Sequence, residues 1–192
     1  MTQVSIIGTG NMANAIGGVL ADGGTSVSYI SHEQTGTAAL AGEIIVLAVP
    51  YPAVDSILAA YGDQFDGKIV VDITNPLNFA TFDSLTVPVG SSAAAEIQSK
   101  LPRAKVLKAF NTTFAGTLTS KRVGGLPTTV LIAGDDTAAK DALAAAVEAG
   151  GVSAIDAGSL SRAHELEAFG FLQLTLAASE KLSWTGGFAV AR

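Results

Sequence analysis

The feature that most constrains this chain is the hexapeptide Gly8-Thr9-Gly10-Asn11-Met12-Ala13, because of what flanks it. Val4-Ser5-Ile6-Ile7 before it reads as a buried strand. Met12, Ala15, Ile16, Val19 and Leu20 after it recur at helical spacing, and Gly23-Gly24 closes that helix. A strand, a G-x-G-x-x-A turn and a helix in that order form the dinucleotide-binding fingerprint in its required setting. Gly8 is expected to allow the tight turn, Gly10 to let backbone approach a pyrophosphate, and Ala13 to keep the helix close to the sheet. The amides of Gly10, Asn11 and Met12 then donate to phosphate oxygens at the positive end of the helix dipole. A glycine turn without a ligand is the competing explanation.

The rest of the chain repeats this alternation. Strands are expected at Thr25 to Ile30, Glu43 to Val49, Lys68 to Ile73, Lys105 to Phe110, Thr128 to Ala133 and Val152 to Asp156. Helices are expected from Pro50 to about Tyr61, from Ser91 or Ser92 to Lys100, from Asp135-Asp136 to Gly150, and from roughly Ser159 to Leu182. Only a short polar stretch separates the second and third strands, so one strand-helix pair of a typical fold of this kind is trimmed away. The expected architecture is α/β: a Rossmann-type, doubly wound, mostly parallel sheet with a C-terminal helical appendage. Residues 1–158 form the dinucleotide-binding domain, and residues 159–192 pack on it as a helix and tail.

Ligands of such sheets bind beyond the strands' C-terminal ends, so those ends supply the candidate site. About 20 residues past the glycine turn, an NAD site places an acidic residue on the adenosine ribose. This chain has Ser31-His32, which can donate to a 2′-phosphate and favours NADP, although Glu33 follows and no Lys or Arg lies between Asp22 and Gly42. His32 is equally readable as a solvated loop residue. Ala48-Val49-Pro50-Tyr51 is expected beside the nicotinamide, with Thr74-Asn75-Pro76 across from it. Asn75 is either a ligand group or plain turn chemistry. Asn111, Thr112 and Phe114 are the candidates for a flat substrate, against a polar helix entry. Gly17-Gly18 reads as close helix-sheet packing, and His164 with Glu165 and Glu167 as solvated charge rather than an acid-base group. No catalytic side chain is assigned.

Composition narrows the partners. Seventeen acidic and eleven basic residues give a net charge of −6 with no basic run, which speaks against nucleic acid. Without cysteine and with two histidines, thiolate chemistry and a metal site are not expected. Charged residues make up 15%, below the usual share of about 25%, so much of the chain is interior or interface. The start of the chain lacks the pattern of a secretory signal and no apolar run is of bilayer-spanning length, so a cytoplasmic protein is expected.

The segments IIGTGNMANAIG, IIVLAVPYPAV, GKIVVDITNPLNF, VLKAFNTTFAGTL and LAASEKLSWTGGFAVAR together resemble the deazaflavin-dependent NADP oxidoreductase family, and most of all its small bacterial branch. The cytosolic domains of six-transmembrane ferric reductases share this fold type. The resemblance covers nearly the whole chain. It implies phosphate contacts at Thr9, Gly10, Asn11 and Met12, and 2′-phosphate contacts at Ser31 and His32. It further implies a nicotinamide lined by Val49, Pro50, Asn75 and Pro76. The implied activity is hydride transfer between NADP(H) and a flavin or deazaflavin, ring to ring, without a protein acid or base. It also implies a homodimer through the C-terminal helix, whose Leu166, Phe169, Leu172, Leu174 and Leu176 exceed one apolar stripe. GNMA after the first strand is shared with pyrroline-carboxylate reductases, so an imine reductase is an alternative, as is a non-catalytic NADP(H) sensor.

Overall fold

The computed structural model describes residues 2–191. Met1 and Arg192, the outer ends of the two expected segments, lie outside the described residues. The chain opens with β1 (Gln3–Ile7), α1 (Asn11–Asp22) and β2 (Ser26–Ile30), followed by β3 (Ile44–Leu47), α2 (Val54–Tyr61) and β4 (Ile69–Asp72). Next come α3 (Ala93–Lys100), β5 (Lys105–Lys108), α4 (Ala115–Ser120) and a small hairpin of β6 (Arg122–Val123) and β7 (Leu126–Pro127). It ends with β8 (Thr129–Gly134), α5 (Thr137–Ala149), β9 (Ser153–Gly158) and α6 (Ala163–Ala178).

Seven strands form one sheet in the order β2-β1-β3-β4-β5-β8-β9. Every neighbouring pair is parallel except β5 and β8, which are antiparallel. Residues 31–43 hold only a single 3-10 turn at His32–Gln34 where a further strand and helix would otherwise extend the sheet. That leaves β2 as the edge strand.

Both faces of the sheet are covered, which explains the near-continuous apolar strands. Val4, Ile6, Ile44, Val46 and Val71 point to the face packed by Ile16, Val19 and Leu20 of α1 and Leu143 and Val147 of α5. The alternate residues Ile7, Ile45, Leu47 and Val70 meet Ile57 and Leu58 of α2 and Ile97 of α3. Side-chain oxygens start two of the helices. Ser92 accepts from the Ala95 amide at 3.0 Å, and Asp136 from the Ala139 amide at 2.8 Å.

Several details differ from the expectation. The last helix is shorter at both ends, because a 3-10 turn at Leu160–Arg162 leads into it and the chain turns away after Ala178. Gly17 does pack closely, since a Cβ there would strike the Tyr29 ring of β2, but Gly18 faces open space. Among the described residues, no helix is long and apolar enough to cross a membrane.

Candidate functional site

The chain reverses its direction of winding at β1, which lies between β2 and β3, so a crevice opens beyond Ile7 and its register partner Leu47. Gly8 turns the chain there with φ +123°, a conformation that side chains rarely adopt, and its amide donates to the Ile30 carbonyl at 2.9 Å. A Cβ at Gly8 would collide with the Ala48 carbonyl oxygen. Gly10 is different: its backbone is extended, and a Cβ would meet nothing within 4 Å. Gly8 therefore serves the turn, and Gly10 keeps the cleft in front of α1 clear. No side chain caps α1 and no acidic residue lies in its first turn. The open cradle at Gly10 and the uncapped amides behind it fit a pyrophosphate.

Three adjoining cavities follow the strand ends. The first, about 290 Å³, lies over Gly8, Thr9, Gly10, His32, Thr35 and Ala48 to Pro50. The second, about 560 Å³, shares Gly10, Ala48, Val49 and Pro50 with it and adds Asn11, Met12, Tyr51, Thr74, Asn75 and Phe79. The third, about 460 Å³, shares Asn11, Met12, Ile73, Asn75 and Leu174 with the second and is closed by Phe110, Phe114 and Trp184. Together they form one trough from the end of β2 to the start of α4.

The third cavity is mostly apolar, and among the described residues no ionisable side chain lines it. Phe110, fully buried, holds φ +62° at the end of β5, an uncommon state for a bulky residue. It turns the chain so that Asn111 meets Asn75. The Asn111 Nδ2 donates to Asn75 Oδ1 at 3.0 Å and to the Leu166 carbonyl at 2.8 Å, while Asn75 Nδ2 donates to the Asn111 carbonyl at 3.1 Å. A Cβ at Gly170 of α6 would overlap this pair, so α6 approaches the strand ends only through that glycine. Trp184 packs against Phe114 in a tilted contact, ring centres 5.0 Å apart, which brings the C-terminal segment to the cavity wall.

Behind the trough lies a sealed charge cluster. Lys108 of β5 forms ion pairs of 2.8 Å with both Asp72 of β4, its register partner, and Glu167 of α6. All three side chains are 0% exposed. Lys108 also donates to the Thr74 carbonyl at 2.6 Å, and the Thr74 amide donates to Asp72 at 2.8 Å. Glu167 accepts from the Ala93 amide at 2.9 Å, tying α6 to the start of α3. Burial pushes the Glu167 carboxyl above the ordinary glutamate range, opposed by the Lys108 ammonium. The expectation that Glu167 belongs to a solvated face is thereby corrected: it points inward, opposite Glu165, which pairs with Arg162 at the surface. His164 contacts the Ser91 carbonyl at 3.0 Å and takes no part in the cluster.

Of the residues singled out in the sequence, Gly8, Thr9, Gly10, Asn11, Met12, His32, Ala48, Val49, Pro50, Thr74, Asn75, Asn111 and Phe114 line the trough. Ser31, Pro76 and Thr112 line none of its three cavities. Ser31 instead donates to Glu33 at 2.6 Å, Pro76 offers its carbonyl to the Thr86 hydroxyl at 2.9 Å, and Thr112 is buried. Ile73, Phe79, Phe110 and Leu174 are wall residues that the sequence reading did not assign to the site, Leu174 being expected at a dimer interface instead.

The winding reversal, the glycine turn and the trough beyond it define a Rossmann-type dinucleotide-binding protein. The family model for coenzyme F420-dependent NADP oxidoreductases matches residues 29–76, from the end of β2 through the Asn75-Pro76 turn. The F420-dependent NADP reductase of Methanocaldococcus jannaschii is 31% identical over 153 residues, covering 78% of this chain and 68% of the relative. The chain belongs to this family of oxidoreductases. Metalloreductase STEAP3 of Rattus norvegicus is 32% identical over 181 residues, which cover 86% of this chain and 36% of that protein, so the chain spans about a third of its length. A crystal structure from Arthrobacter sp. FB24, provisionally assigned as an F420-dependent NADP reductase, superposes with a TM-score of 0.85. It shares 26% identity and is covered over 100% of both chains.

Proposed function

We propose that this chain uses NADP(H) and passes hydride directly between the nicotinamide and a flat acceptor of the flavin or deazaflavin type. The observation that carries this reading is the shared wall of the second and third cavities, which lets two flat rings lie side by side with no ionisable group between them. The bound dinucleotide supplies the hydride. Gly10, Asn11 and Met12, flanked by Thr9, hold the pyrophosphate through backbone amides. Ser31 and His32 take the adenosine ribose end, and Gly8 sets the turn between them.

Ala48, Val49 and Pro50 form one nicotinamide wall and Thr74 and Asn75 the other, while Pro76 lies outside the cavity and only follows Asn75 in the turn. Asn111 and Phe114 shape the acceptor side, with the buried Thr112 not reaching it, and the Asn75–Asn111 pair fixes the spacing of the two strand ends. Most of the catalysis is then positioning. An imine substrate is less well served, because the described residues of the third cavity offer no carboxylate to hold an iminium. The half-buried Phe169, Phe171 and Leu176 of α6, beside an exposed Leu172, support a homodimer through that helix, which sedimentation at micromolar concentration tests.

Anaerobic mixing with NADPH and a panel of free flavins, a deazaflavin and a cyclic imine tests the activity. Loss of nicotinamide absorbance should accelerate with at least one flavin or deazaflavin. A flat trace with all of them overturns the proposal, and turnover of the imine alone assigns the imine reductase instead.

A further inference from the structure

The turn that follows β2 carries a carboxylate folded back on a hydroxyl. Ser31 Oγ donates to Glu33 Oε2 at 2.6 Å, and the Ser31 amide donates to Gln34 Oε1 at 3.0 Å, closing the 3-10 turn at His32–Gln34. The bond from Ser31 holds the Glu33 carboxyl below the ordinary glutamate range, so it is charged throughout neutral pH. Neither Lys nor Arg occurs from Gly23 to Ala41, and neither lines the adjoining cavity. Among the described residues that line this cavity, His32 is the one basic side chain.

In folds of this type the end of the second strand reads the adenosine ribose. An acidic side chain there accepts from a 2′-hydroxyl, and a cationic one accommodates a 2′-phosphate. Ser31 would serve a 2′-phosphate only as a donor, and its proton is already held by Glu33. A phosphate arriving there competes with a carboxylate for one O–H and meets that carboxylate's charge. A 2′-hydroxyl meets an acceptor instead.

We propose that Glu33 is the residue that sets the choice between the two nicotinamide dinucleotides, holding back NADPH so that the chain takes NADH with comparable affinity. The inference rests on the cleft being a nicotinamide dinucleotide site, and it narrows that reading by naming a residue that opposes selectivity for NADP. Glu33 is fully exposed on a surface turn, so its replacement leaves the core untouched.

Fluorescence titration of the whole chain with NADH and with NADPH, in one buffer at one pH, measures the ratio of the two affinities. In the wild type the two dissociation constants should lie within about tenfold of each other. Glu33→Gln should raise the NADPH-to-NADH affinity ratio about tenfold, equivalent to about 1.4 kcal/mol. Glu33→Arg should raise it further. Because the wild-type effect is repulsion between exposed charges, added salt should also raise the ratio in the wild type and lower it in Glu33→Arg. A ratio that moves less than about threefold in Glu33→Gln, or equal losses for both cofactors, overturns the proposal while leaving the cleft assignment standing. If the wild type binds neither dinucleotide, the cleft assignment fails and this inference fails with it.

Discussion

At the start of α1, backbone amides face an open trough with no side chain to cap them, whereas two to three strands away along the sheet Lys108 and Asp72, with Glu167 of α6, are completely enclosed. Both regions are polar features at the C-terminal ends of parallel strands. The first is uncharged and exposed. The second is charged and contributes no atom to the trough walls. The difference separates two tasks. On the proposed reading, binding a dinucleotide is left to backbone geometry, which costs no side-chain ordering when the ligand arrives. Holding β4, β5, α3 and α6 in register is left to charge, which is strong only away from water. The hydride transfer between two rings proposed above calls for rigid walls more than titrating groups, and this arrangement is consistent with it.

The largest expected effect lies in the enclosed region. Lys108→Met removes the one cation shared by two buried carboxylates and also leaves the Thr74 carbonyl without its donor. Breaking a buried pair in this way costs about 3–5 kcal/mol. Against a typical total of about 5–15 kcal/mol, that is enough to bring the domain near unfolding. Urea unfolding should show a much lower midpoint. An unchanged midpoint would mean that the cluster does not hold the strand ends together.

The open region should respond in the opposite way. A side chain at Gly10 meets no protein atom, and its extended backbone suits any residue, so Gly10→Val should leave the thermal midpoint within about 1–2 °C, the range of a surface change. It should nevertheless weaken NADPH binding at least a hundredfold, about 2.7 kcal/mol, by filling the approach to the α1 amides. Calorimetry and thermal melts on one preparation separate the two effects. Equal binding in variant and wild type would move the pyrophosphate elsewhere.

The same contrast explains how much could be read from the sequence. The glycine turn, the alternation of strands and helices and the trimmed segment after β2 are local patterns, and they placed most of the trough walls. The antiparallel β8 was not foreseen, because an apolar run such as Thr129 to Ala133 reads alike in either direction. Nor were α4 and the β6–β7 hairpin, which are too short to show a period. A signal for the enclosed cluster was present: Asp72 and Lys108 each interrupt an otherwise apolar strand, and such charges demand partners. Glu167 could not be assigned to them from helical spacing, since its inward direction depends on how α6 crosses the sheet. The Asn75–Asn111 pair is of the same kind, because it needs the absence of a side chain at Gly170, 59 residues beyond Asn111 in the chain.

The smallest effect tests whether the enclosed charges are balanced. Two carboxylates share one ammonium, and burial raises the Glu167 pKa, so the folded chain holds that proton more tightly than the unfolded chain does. The stability this provides is complete below the ordinary glutamate value and is lost as pH rises through the raised folded-state value. Asp136 and Asp156 act in the opposite sense. Hydrogen bonds from the Ala139 amide and from Lys140, respectively, lower their pKa values, so their contribution is complete above the ordinary aspartate value and is lost only in acid. Over the pH range above the ordinary glutamate value the downward slope therefore belongs to Glu167. Glu167→Gln cannot lose a proton, so wild-type stability measured by urea unfolding should fall relative to this variant across that window. Parallel curves would show that Lys108 neutralises both carboxylates on its own. The enclosed region would then be as insensitive to pH as the open one.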